Sequence, residues 1–170
     1  MKTITRFALT TVAALTLVST VSAASNTATA TANANARIIS PITLLKNVDL
    51  NFGDVIPSAS AGTVVVDPAG ARTFSGGVTL GSGATVKAAS FTVGGEPSAT
   101  YAITLPAAAI TITNGAVNMT VGLFTSSPVT TGTLTGAGVQ TLTVGGTLIV
   151  GASQATGSYT GTFDVMVTYN

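Results

Sequence analysis

The chain has 170 residues, with six lysines and arginines against five aspartates and glutamates, and it contains neither cysteine nor histidine. Those absences exclude a Ser-His-Asp or Cys-His nucleophile, a zinc site of His and Cys ligands, and any disulfide. A formal net charge of +1 with no cluster of either sign leaves no electrostatic footprint for nucleic acid or an anionic membrane surface.

In chain order, residues 1–23 have the form of a secretory signal peptide. Lys2 and Arg6 supply the charged start, Phe7 to Val18 the short apolar run, and Val21-Ser22-Ala23 the small residues before a cut near Ala23. The run is too short for a membrane span, and no later stretch reaches about 18 uninterrupted apolar residues. The mature chain is therefore expected to be exported, with no transmembrane segment. Without cysteine at the cleavage site it has no lipid anchor. About 147 residues remain, the size of one domain.

Next comes "SNTATATANANARII", Ser25 to Ile39. Alanine occupies every second position (Ala28, Ala30, Ala32, Ala34 and Ala36), and Ile38 continues the series. Two readings compete: a low-complexity spacer or an extended strand with an inside and an outside. Unbroken alternation without Gly, Pro or charge between Ser25 and Ala36 favours the strand, because flexible linkers are rich in those residues. Residues 24–38 are read as an N-terminal extension and 39–170 as the folded domain.

The body alternates short β-type runs with turn signals at Gly62, Gly76-Gly77, Gly81-Ser82-Gly83, Gly94-Gly95, Asn114-Gly115, Gly136-Ala137-Gly138, Gly145-Gly146 and Gly157. No segment has a capped 3.6-residue period, so the expected class is all-β, a sandwich or barrel. "GTVVVD" (62–67) and "SFTVG" (90–94) are candidate strands. In "ATYAITLP", Ala99, Tyr101, Ile103 and Leu105 share a face. In "GAVNMTVGLF", Val117, Met119, Val121 and Leu123 share one. In the closing run, Tyr159, Phe163, Val165, Val167 and Tyr169 lie opposite Thr162, Asp164, Met166 and Thr168. Asn114-Gly115 predicts a hairpin, and Gly145-Gly146 predicts a second, between "LTV" and "TLIV".

Chemistry-bearing groups are sparse. Asp49 and Asp54 flank "LNFG" and read either as a loose calcium site or as solvated turn residues, the latter being the commoner. The glycines at 81–83 and 136–138 lack the rest of a phosphate loop. Neither enzymatic activity nor a cofactor is expected.

The closing "GSYTGTFDVMVTY" and the early "LNFGDV" resemble the corresponding strands of secreted spore-coat-U-like proteins and archaic chaperone–usher pilins. "FTVGGEPSATYAITLP", "ITITNGAVNMTV" and "ATANANARIISPITLLKNVDLNFG" resemble a sister family of secreted bacterial pilin-like domains of unknown function. The resemblance implies an immunoglobulin-like sandwich that lacks one strand and is completed by the N-terminal extension of the next subunit. It implies a homo-polymer, the major pilin of a cell-surface filament serving adhesion or biofilm formation. A periplasmic chaperone and an outer-membrane usher would assemble it. Carried onto this chain, the donor strand would be Thr27–Ile38, with Ala28, Ala30, Ala32, Ala34, Ala36 and Ile38 facing inward. Phe163, Val165, Val167 and Tyr169 would edge the acceptor groove. Methyl side chains imply a shallow groove, or a filament held mainly by backbone pairing. The alternative is a secreted or tip-located adhesin, an outer-surface binding domain without polymerisation.

Overall fold

The structure, a computed structural model, describes residues 26–170, so the signal peptide expected over residues 1–23 lies outside the described residues. The chain divides into two units, one ending at Arg37 and one running from Ile38 to Asn170. In the first, residues 26–37 carry no strand and all are exposed. The alternating alanines therefore do not form a ladder within the single chain.

The second unit is all-β, and the described residues contain no helix. Its strands are β1 (Thr43–Val48), β2 (Val55–Val66), β3 (Arg72–Leu80), β4 (Ala89–Gly94), β5 (Thr100–Thr104), β6 (Ile110–Thr113), β7 (Asn118–Ser127), β8 (Thr131–Thr133), β9 (Val139–Val150) and β10 (Met166–Tyr169). A larger antiparallel sheet follows the order β1-β4-β9-β2-β3, with β7 also on β9 and β6 on β7. A smaller antiparallel sheet is ordered β10-β5-β8. The two form a β-sandwich.

β9 is the spine of the larger sheet. β4 pairs with its first half, from Val139 to Val144, and β2 with its second, from Gly146 to Val150; β7 pairs with β9 between Thr143 and Ile149. Leu142, Val144, Leu148 and Val150 are all buried. Their spacing keeps them on one face of a strand that never reverses. The hairpin expected at Gly145-Gly146 is thus corrected: the two glycines lie inside β9. A Cβ on Gly145 would run into the Val66 carbonyl oxygen and sit 2.6 Å from the Asp67 carbonyl carbon. Close backbone approach, where β2 leaves β9, explains the glycine.

Gly76-Gly77 is likewise inside a strand. There β3 meets a bulge spanning Ser58 to Ala61 of β2, and Gly76 has φ +74°. The ribbon bends sharply at this point. Unbent, it would hold Arg72 and Gly81 about 30 Å apart, yet the Arg72 guanidinium donates to the Gly81 carbonyl at 2.7 Å.

Asn114-Gly115 behaves as expected. Gly115 takes φ +93°, and the Asn114 Oδ1 accepts from the Ala116 and Val117 amides, closing the β6–β7 hairpin. Further along β7 the expected alternation fails. Met119 and Val121 face inward, but between Gly122 and Thr125 a bulge inserts one residue. Leu123 takes φ +49° and is exposed, while Phe124 turns in. Placing Leu123 on the inner face is therefore corrected; a bulge reverses the parity of everything after it.

Two apolar clusters lie against the inner face of the larger sheet. The first joins Ala89, Phe91, Val93, Leu142 and Val144 to Tyr101, Ile103 and Leu134. The second comprises Val64, Val78, Val121, Leu148 and Val150. Leu50 and Phe124 pack against both. The smaller sheet covers the first cluster, but no strand of that sheet contributes to the second.

Candidate functional site

A groove of about 790 Å³ lies over the second cluster and the Ala89 and Phe91 edge of the first. Its floor is made of core side chains: Ala89 and Phe91 of β4, Val121 of β7, and Leu148 and Val150 of β9. One wall follows the chain from Lys46 to Pro57, and the other follows Gln154 to Phe163. The walls belong to the beginning and end of the folded domain, and most of the second wall has no strand partner.

Local sequence explains why the walls stand apart. The first wall is pinned by reciprocal backbone bonds between Asn51 and Lys87, at 2.8 and 3.0 Å. It then turns at Gly53 (φ +70°) around the Arg72 guanidinium, which donates to the carbonyls of Phe52 (2.8 Å) and Asp54 (3.1 Å). The second wall braces itself. The Tyr159 hydroxyl donates to the Ala155 carbonyl and accepts from the Gln154 Nε2, while paired backbone bonds at 2.9 Å join Thr160 to Thr113. Gly161 then passes so close to β6 that a Cβ there would lie 2.6 Å from the Thr111 carbonyl oxygen. Phe163 closes the wall by stacking on Phe124, with ring centroids 4.8 Å apart.

The residues expected to edge an acceptor groove are only partly brought together. Tyr159, Phe163, Val165, Val167 and Tyr169 are half-buried, and Thr162, Asp164, Met166 and Thr168 are exposed, which matches the expected alternation. Val167 and Tyr169 pair with Ile103 and Tyr101 in β10 and β5; Phe163 and Val165 precede the ladder. All four pack on the first cluster, but only Phe163 lines the groove. Sequence reasoning missed the floor, because Leu148 and Val150 were assigned to a hairpin arm rather than to the sandwich spine. The groove is also deeper than a row of methyls implies, since its floor is the core itself. Of the residues expected as donor, Ala28, Ala30, Ala32, Ala34 and Ala36 are exposed, and Ile38 is 97% exposed.

Where the extension joins the domain, three bonds fix the chain. The Tyr169 hydroxyl donates to the Ser40 carbonyl (2.9 Å) and accepts from the Glu96 amide (2.6 Å), and the Glu96 carboxylate accepts from the Ser40 amide (3.0 Å). A Cβ on Gly95 would collide with the Tyr169 hydroxyl, so glycine makes room for the latch.

The groove offers little acid–base chemistry. Its charged lining is Lys46, Asp49 and Asp54, and Lys46 pairs with Asp49 at 2.7 Å. Among the described residues, no group of three or more His, Cys, Asp or Glu could hold a metal ion. The Tyr101 phenol, in the core rather than the groove, is pushed up from its ordinary value by burial and donates to the Gln140 Oε1 at 2.8 Å. No helix among the described residues is long and apolar enough to cross a membrane.

Against known proteins, the family described as "Domain of unknown function (DUF4402)" matches residues 42–169, which takes in all ten strands and both walls of the groove. No curated protein and no solved structure matches the chain.

Proposed function

This chain belongs to the DUF4402 family, and from the open groove in its sandwich we propose that it is the structural subunit of an extracellular filament built by strand addition. The observation that carries the reading is the groove: an apolar floor of core side chains, to whose lining no residue of the smaller sheet contributes. An incomplete immunoglobulin-like sandwich completed by another chain has this feature. Strand addition supplies ladder hydrogen bonds from the backbone and register from alternate side chains.

The size of the groove sets how much of a strand it can enclose. At about 3.3 Å rise, 4.8 Å strand spacing and 10 Å between sheets, an average strand residue occupies about 160 Å³. A groove of about 790 Å³ therefore encloses roughly five strand residues, fewer than the twelve of Thr27–Ile38. The segment available is Thr27–Ile38, whose alternation provides an inward face and which has no ladder within its own chain. In this reading the subunit is exported, kept from premature association by a periplasmic chaperone, and threaded to the surface by an outer-membrane usher.

The second reading, a non-polymerising adhesin, draws on the same groove, whose volume also falls within the range of about 300–1,000 Å³ typical of ligand pockets. Comparing the wild type with a Ser25–Ile38 deletion separates the two: strand addition expects filaments from the wild type alone, and the adhesin reading expects them from neither. Strand addition predicts secreted, β-folded subunits that form no filaments under electron microscopy. Filaments of wild-type length from that deletion would refute it.

A further inference from the structure

We propose that Arg72 is a positioning residue for the groove: its guanidinium holds the rim from Phe52 to Val55 in the shape that receives a strand. A chain that lacks it still donates its own extension but accepts one poorly. The proposal rests on the strand-addition reading and deepens it.

Placement is the first ground. Arg72 opens β3 directly opposite Val66, a fully buried residue of β2. Residues directly opposite one another share a face of the sheet, so the arginine points to the inner side of the sandwich. A charge placed there is costly unless its hydrogen bonds are met. Backbone carbonyls from two distant segments meet them: Nη1 donates to Phe52 and Asp54, and Nη2 to Gly81. Arg72 does not line the groove, whereas every residue from Phe52 to Val55 does. The rim therefore directs the carbonyls of Phe52 and Asp54 to a partner outside the groove lining, while the side chains of Phe52 and Val55 pack on the second cluster. The carbonyls of an unsupported rim would instead stand unpaired beside an apolar floor.

The local sequence accommodates the guanidinium, which is the second ground. Gly53 takes φ +70°, and a Cβ there would lie 2.7 Å from the Arg72 Nη1. A Cβ on Gly81 would lie 2.6 Å from the Asp54 Cβ, and the Gly81 amide donates to the Asp54 carbonyl at 2.9 Å. The Gly53 amide is taken up by the Asn51 Oδ1 at 2.8 Å. One planar side chain with two terminal nitrogens thus ties the rim to the turn after β3. Lysine has a single nitrogen and cannot span both segments. Without the tie, the cost of ordering the rim falls on the step that admits the strand.

Donation and acceptance can be tested separately. Ala32→Asp puts a charge on the inward face of the extension and should block donation. Full-length mature wild type, Ala32→Asp, Arg72→Met and Arg72→Lys are incubated singly and in pairs, and their products are sized by light scattering and electron microscopy. Arg72→Met should assemble about ten-fold or more slowly than wild type, as expected on losing hydrogen bonds from a charged donor. Added in small amounts to wild type, it should shorten the filaments, because each such chain ends growth in one direction. Mixed with Ala32→Asp it should give heterodimers and no filaments, although neither variant associates alone. Arg72→Lys should fall between Arg72→Met and wild type.

Filaments of wild-type rate and length from Arg72→Met would overturn the assignment. So would a folded Arg72→Met that forms no heterodimer with Ala32→Asp, since donation would then be lost as well. Full activity of Arg72→Lys would overturn the role of the fork. If Arg72→Met loses its β-sheet circular-dichroism signal, Arg72→Lys carries the same pairing test, and loss of the signal in both would make Arg72 a residue of the fold and overturn its role at the groove. Absence of filaments from the wild type, or normal filaments from Ala32→Asp, would remove strand addition itself.

Discussion

Tyr101 offers a test of how the sandwich is held together. It is fully buried in the first cluster, and its hydroxyl donates to the Gln140 Oε1 at 2.8 Å. Tyr101→Phe keeps the ring and removes one hydrogen bond, a loss of about 0.5–1.5 kcal/mol at pH 7. The cost stays near the low end because Gln140 is half-exposed and water can replace the phenol. The alkaline limb is more telling. Burial raises the phenol above its ordinary value of 10.0. Above pH 10 the unfolded chain therefore releases a proton that the folded chain retains. Fewer protons on the unfolded state make stability fall as pH rises, by at most about 1.4 kcal/mol per pH unit between the ordinary and the raised value. Phenylalanine has no such proton, so the deficit of the variant at pH 7 should shrink above pH 10. Tyr159 and Tyr169 are present in both proteins and cancel. Urea unfolding followed by circular dichroism at pH 7, 10 and 11 measures the difference. A deficit that stays constant across that range would show that Tyr101 ionises as readily folded as unfolded, and would refute the argument from burial.

Gly145→Ala drives a methyl into the Val66 carbonyl and should cost about 1–3 kcal/mol; Gly136→Ala, with open space around it, is the control. Equal melting temperatures for the two would show that Gly145 sits in a tolerant turn after all. Ala32→Asp alters an exposed position of the single chain, so secretion and melting temperature should match wild type. Filament formation should stop, because the charge would enter an apolar groove without a partner. Normal filaments would place the extension outside the groove.

The all-β class and several strand faces could be read from the sequence because they rest on local alternation. Tyr101 and Ile103, or Val165 and Val167, keep strict period two and lie where that period puts them. The failures share one cause. Gly145-Gly146 and Gly76-Gly77 look like turns locally, but their role is set by a carbonyl of another strand: Val66 in the first case, Ser60 in the second. Leu123 was misplaced because a bulge depends on the partner strand, and β9 lies more than a dozen residues away in sequence. The groove was half visible for the same reason. Phe163 belongs to an alternating run, whereas Leu148 and Val150 become a floor only once β9 is recognised as one continuous strand.

That floor decides what kind of joint the alanine row can make. Were the whole of Thr27–Ile38 to pair, five alanine methyls at about 0.8 kcal/mol each and one isoleucine at about 2–3 kcal/mol would contribute roughly 6–7 kcal/mol. Around ten ladder bonds at about 0.5–1.5 kcal/mol add a comparable or larger amount. Ordering a dozen residues costs about 1–2 kcal/mol each, so gain and cost nearly cancel. An extension of this composition cannot hold a subunit through side-chain burial alone. Phe91, Val121, Leu148 and Val150 could take larger residues than alanine, so under strand addition the joint leans on an unbroken backbone ladder and is sensitive to register. Alternate Ala-Thr and Ala-Asn steps repeat every two residues, so the side chains of such a strand give the groove almost nothing by which to tell one alignment from the next.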